Sequence, residues 1–154
     1  MNSNNALPKD IATTKITIYN YFKKSDGKET YKRTVLDDVY YRDTSIDVFK
    51  QTGNEVDETV IIKVNYYEEN YVPKNEWLKQ TDITNKFTFD NSINGRSTLI
   101  VKGECPFTFG DLEPADFSNK VTEFEEAYKN HRKVNDIKDA FWGSKSMWHS
   151  TIKC

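Results

Sequence analysis

The run Glu58-Thr59-Val60-Ile61-Ile62-Lys63-Val64-Asn65-Tyr66 is the most apolar stretch of a polar chain, and it limits the possible folds more than any other feature. Val60, Ile62, Val64 and Tyr66 share one side of an extended backbone, while Lys63 and Asn65 alternate onto the other. That period of two marks a half-buried strand. β-Branched and aromatic side chains crowd the run and favour extended geometry over helix. The expectation is a central strand in a β-rich domain, with the rest of the chain packed against it.

A length of 154 residues suits one domain with a core of its own. The 22 basic and 24 acidic side chains give a net charge of −2, which argues against binding nucleic acid or an anionic membrane through bulk charge. No uncharged run approaches the roughly 18 residues that span a bilayer. Residues 1–14 are Asn-rich without an apolar signal core, so the chain is expected in the cytoplasm when made, as a flexible or partner-ordered arm followed by one domain over 15–154. The two cysteines, Cys105 and Cys154, are expected to be reduced thiols. Nine Tyr, nine Phe and three Trp, many in short alternating runs, suit pleated half-buried surfaces.

From Lys15 both faces of the chain suit a strand: Ile16, Ile18, Asn20 and Phe22 on one, Thr17, Tyr19 and Tyr21 on the other. Asp26-Gly27 then marks a hairpin turn, because Gly accepts positive φ. The return strand is Glu29 to Leu36, and Asp37-Asp38 interrupts it before a third strand over Val39 to Arg42. Asp43 to Asp57 holds Ile46, Val48, Phe49 and Val56 as its sizeable apolar groups, too few for a core, and reads as a projecting hairpin arm. Pro73 to Lys79 suggests one helical turn with Trp77 and Leu78 inward. Phe87 and Phe89 suggest a short strand, Asn94-Gly95 a turn and Ser97 to Gly103 a clear strand, ended by Cys105-Pro106. Ser118 can cap a helix over about 119–130, with Val121, Phe124 and Tyr128 on one face. Val134 to Trp142 and Ser146 to Ile152 read as the closing strands. The fold class is mainly β (α+β): a small antiparallel β-barrel or sandwich with one helix and an arm.

Chemistry is sparse. His131, His149, Cys105 and Cys154 lack the spacings of a metal site or a Cys-His nucleophile, and the six glycines form no phosphate-binding loop. No catalytic residue, metal or cofactor is expected. The basic clusters Lys23 to Arg33, interleaved with Tyr31, and Lys129 to Lys133 could touch phosphate, although such runs are more often solvated faces.

Three stretches, in order, resemble a family of small proteins of tailed phages and prophages of Gram-positive bacteria, minor capsid or head-tail connector proteins. Ile16-Thr17-Ile18-Tyr19-Asn20, Tyr31 to Leu36 and Val39-Tyr40-Tyr41 are similar to its opening; Ile100-Val101-Lys102-Gly103-Glu104 is similar to its "IVKGe"; Gly143-Ser144 with Met147-Trp148-His149 is similar to its closing motif. Asp38 stands where the family usually has Gly, and Ser150 where it has Trp. The chain also resembles, more loosely, the β-barrel stoppers of siphophage necks. The resemblance implies a non-enzymatic virion protein of the neck, made in the host cytoplasm. It would form a homo-oligomeric ring between portal and adaptor proteins above and tail proteins below, with genomic DNA passing through the lumen. Ile46, Val48, Phe49, Trp148 and His149 are the candidate contacts. A tail-completion or tail-terminator protein and a non-viral small β binding domain are the alternatives.

Overall fold

The computed structural model describes residues 13–43, 60–65, 70–90, 95–140 and 149–154. Seven strands form one curled antiparallel half-barrel sheet: β1 Thr14–Lys23, β2 Glu29–Asp43, β3 Val60–Asn65, β4 Leu99–Lys102, β5 Arg132–Lys133, β6 Asp136–Ala140 and β7 His149–Lys153. Their order across the sheet is β5-β4-β1-β2-β3-β7-β6. Among the described residues two helices accompany them, α1 Lys74–Trp77 and α2 Pro114–Ala127.

The two outermost strands are neighbours in sequence, joined only by Val134 and Asn135. Val134 donates its backbone N–H to Thr98 at 3.0 Å, beside β4, and Asn135 donates to Lys153 of β7 at 2.8 Å. One extended segment therefore binds first one edge of the sheet and then the other. The two edges of the sheet thus meet at one bend of the chain, which curls the sheet on itself.

Strand β3 does present Val60, Ile62 and Val64 to the core, with Ile62 fully buried. It is not the hub. β1 holds that position, buried on both faces from Ile16 to Phe22. Ile16, Ile18, Leu36, Val60, Ile62, Ile100, Val134 and Ile152 form an inner aliphatic core, sealed by Phe87 and Phe89. Tyr19, Tyr21, Tyr31, Leu99 and Val101 pack on the other face against Phe117, Val121 and Phe124 of α2. Tyr19 meets Phe124 edge-on at 5.0 Å between centroids and Tyr31 meets Phe109 at 5.1 Å, geometries that suit aromatic quadrupoles.

Several boundaries differ from the sequence reading. The pair Asp37-Asp38 does not end a strand: β2 continues to Asp43, and Asp38 takes φ 57°. The register of β1 against β2 shifts between Thr14 and Ile16, just where β2 passes from pairing with β1 to pairing with β3. The main helix is 114–127 rather than 119–130, because Pro114 occupies its first turn, where a missing N–H costs nothing. Ser118 is thus inside the helix, its carbonyl accepting a bond from the Thr122 hydroxyl.

Phe87 and Phe89 are buried without forming a strand; only a single parallel bridge joins Tyr71 to Phe87. The Asn20 side chain substitutes for a neighbouring strand there. Its amide donates to the Thr88 carbonyl at 2.6 Å and its oxygen accepts the Thr88 N–H at 3.1 Å. The expected 97–103 strand is confined to Leu99–Lys102, and the expected strand from Val134 begins instead as β5, breaks at 134–135 and resumes as β6.

Candidate functional site

The β2–β3 pair ends at Asp43 opposite Val60, so residues 44–59 leave and re-enter the domain at this point. Val60 exchanges backbone bonds with Cys154 at 3.2 and 2.9 Å, placing the end of the chain beside the same root. Arg132 brings its guanidinium to 3.7 Å from the Asp43 carboxylate, both side chains being mostly buried. The Lys102 ammonium lies 5.3 Å above the Tyr41 ring. Burial raises the Tyr41 phenol, and the Asp43 charge raises it further. Burial likewise pushes the Cys154 thiol up to about 12, against the opposing charge of Arg132. These groups form a tightly held base from which residues 44–59 depart.

Of the candidate contacts, Ile46, Val48, Phe49 and Trp148 lie outside the described residues. His149 opens β7, its backbone paired with Asn65 and with Ala140. Residues 44–59 therefore attach at the Val60 end of β3, whereas Trp148-His149 enters at the Asn65 end. Five residue steps separate the two, roughly 17 Å along an extended strand. What the described residues give is the two points of attachment, which lie at opposite ends of β3.

A second feature has no counterpart in the sequence reading. The end of β1 and the segment after α1 enclose an open groove of about 770 Å³, lined among others by Phe22, Lys23, Lys24, Leu78, Lys79 and Ile83. Trp77 is fully buried and donates its indole N–H to the Tyr21 carbonyl at 2.7 Å. Leu78 was expected to turn inward with it, yet is 43% exposed, the one large apolar side chain so exposed among the described residues. Adjacent residues of a helical turn point about 100° apart, so burying Trp77 turns Leu78 outward.

In the first basic cluster the aromatic does not share the basic surface, and in both clusters several cations already have partners. Tyr31 is buried among Tyr21, Phe109 and Phe117, and burial raises its phenol. Lys32 donates to the Lys86 carbonyl at 3.1 Å, and Arg33 to the Cys105 carbonyl at 2.6 Å. Arg132 and Lys133 pair with Asp43 and Glu125. Positive charge instead collects on the outward side of the half-sheet β2-β3-β7, where Tyr40 faces Lys63, and Arg42 and Lys153 flank Ile61. Among the described residues none of Arg42, Lys63 and Lys153 has an ion-pair partner, although Asp136 stands opposite Lys153.

Cys105 and Cys154 are free, buried in different cores. Among the described residues no three His, Cys, Asp or Glu side chains cluster as metal ligands, and no helix is long and apolar enough to cross a membrane.

A family model for DUF6751, a family of unknown function, matches residues 11–154. The chain belongs to the DUF6751 family. No curated protein and no solved structure matches it. The span that defines this DUF6751 member takes in the whole half-barrel, residues 44–59, the groove and the closing strands.

Proposed function

We propose that this DUF6751 protein is a structural protein of a tailed-phage virion, a ring-forming connector or stopper in the neck that joins the portal-adaptor assembly to the tail and helps retain and conduct DNA. The observation that carries the reading is how the resembling stretches lie in space. Ile16–Asn20, Tyr31–Leu36 and Ile100–Lys102 fall in β1, β2 and β4, three hydrogen-bonded neighbours. Asp38, where the similar family carries Gly, has the positive φ that Gly accepts without strain. Gly143 to Trp148 of the closing motif lie outside the described residues; the opening motif and the Ile100–Glu104 motif are brought together as one fold requirement, which favours a shared fold over chance matches.

Two further features support a connector. The stretches that carry its candidate contacts join the sheet at opposite ends of β3, as suits a subunit that must meet different neighbours. The outward cations Arg42, Lys63 and Lys153 provide a surface able to face phosphate while the chain as a whole stays mildly acidic. No catalytic step is part of this role.

The test is deletion of the gene from the phage or prophage that carries it. A neck connector gives filled or leaking heads without attached tails. Sealed heads with tails of abnormal length would point to a tail terminator instead, and normal infectious particles would exclude a virion role.

A further inference from the structure

We infer that the groove beside Leu78 receives residues 44–59 of a neighbouring copy of the chain, so that the ring closes by a head-to-tail contact between acidic, apolar arm and basic, apolar groove. This rests on the ring-forming reading above and specifies the contact that would build it.

The groove offers the chemistry. Leu78 projects at 43% exposure above Phe22 and Ile83, which belong to the edge of the aromatic core. Around this apolar floor stand Lys23, Lys24 and Lys79. Lys24 is shared with Asp111 at 2.5 Å and Lys79 with Glu76 at 3.7 Å, both at the exposed surface where such pairs are weak and readily exchanged. Lys23 has no ion-pair partner among the described residues. The acid on the lining, Asp82, accepts the Thr84 N–H at 2.9 Å.

Residues 44–59 carry the complement. Asp47, Glu55, Asp57 and Glu58 oppose the single Lys50, and Ile46, Val48, Phe49 and Val56 supply apolar groups. Apolar anchors inside a complementary charged rim are the usual anatomy of a specific protein contact.

Reach decides between the chain's own groove and a neighbour's. The groove abuts the Lys23–Glu29 end of the β1–β2 hairpin, and the root is Asp43, so the two sites lie at opposite ends of β2. That strand spans roughly 45 Å if straight, and about 34 Å even with a right-angle bend at Asp38. Because residues 44–59 return to Val60 beside Asp43, half of them in full extension reaches at most roughly 26–29 Å. Their midpoint falls short of the chain's own groove. A neighbour's groove carries no such restriction, and a contact between two different surfaces repeated from copy to copy is what generates a closed ring.

The experiment mixes two full-length variants, Ser25→Cys in the groove wall and Phe49→Cys in the arm, the native cysteines being buried, and follows disulfide formation alongside native mass. A covalent dimer containing one of each variant is expected, with no bond within a single chain carrying both substitutions at high dilution. Lys23→Glu with Lys79→Glu is expected to raise the concentration needed for assembly roughly tenfold or more, and adding Asp47→Lys with Glu55→Lys to restore it. Both lysines are exposed, so folding is preserved. Rings that assemble without the mixed cross-link, or with charge reversal having no effect, overturn this contact and leave the ring standing. A chain that stays monomeric at every concentration overturns both.

Discussion

Arg132, in the short strand at one edge of the sheet, forms an ion pair at 3.7 Å with Asp43, the last residue of β2 before residues 44–59 begin. The pair ties the closing segment of the half-barrel to the point where residues 44–59 leave it. Arg132→Gln should lower stability by about 1 kcal/mol, since both groups keep some solvent contact. It should also make the Asp43–Val60 end exchange amide hydrogens faster than the rest of the sheet. Unchanged protection of Val60 would mean that the pair does not hold the root.

Asn20 replaces a missing strand by pairing its side-chain amide with both backbone groups of Thr88. Asn20→Val keeps β propensity and similar volume but strands two buried backbone groups. The expected loss is about 2–4 kcal/mol in denaturant unfolding. A loss below 1 kcal/mol would show that water satisfies Thr88 instead.

Burial raises the Tyr19 and Tyr31 phenols, and the Cys154 thiol from 9.0 to about 12. In the folded state these groups stay protonated after their unfolded counterparts have ionised. Proton release then favours the unfolded chain, so the contribution of these groups to stability should be level below about pH 9 and fall between about pH 9 and 12. Cys154→Ala should flatten part of that fall. A denaturation midpoint that is constant from pH 8 to 11 would contradict the burial of all three.

Asp38 sits at φ 57° within a continuous strand. Asp38→Gly should be neutral or mildly stabilising, whereas Asp38→Val, which cannot adopt that backbone cheaply, should cost about 1–2 kcal/mol. Equal stability of the two variants would show that the bend can relax.

Much of this architecture was legible in the chain. Alternation in 16–22 and 60–64 named the core faces, and Asp26-Gly27 set the hairpin, because these signals are local and strong. The 87–90 segment was not legible as it stands, since its partner is a side chain 68 residues away in sequence. Nor was the continuity of β2 through Asp37-Asp38, where tertiary pairing overrides two residues poor in β propensity. The groove is not legible in the chain, because Leu78 follows a tryptophan whose burial decides where Leu78 points.

The account stands most directly on the mass of the purified full-length chain in solution, measured across a wide range of concentration and viewed in parallel by electron microscopy. A neck connector built from this half-barrel should give one closed oligomer of fixed multiplicity, visible as a ring. Deleting Ser45 to Asn54 behind a short Gly-Ser linker should reduce it to folded monomers. A monomer of 18.0 kDa at every concentration would contradict the central claim.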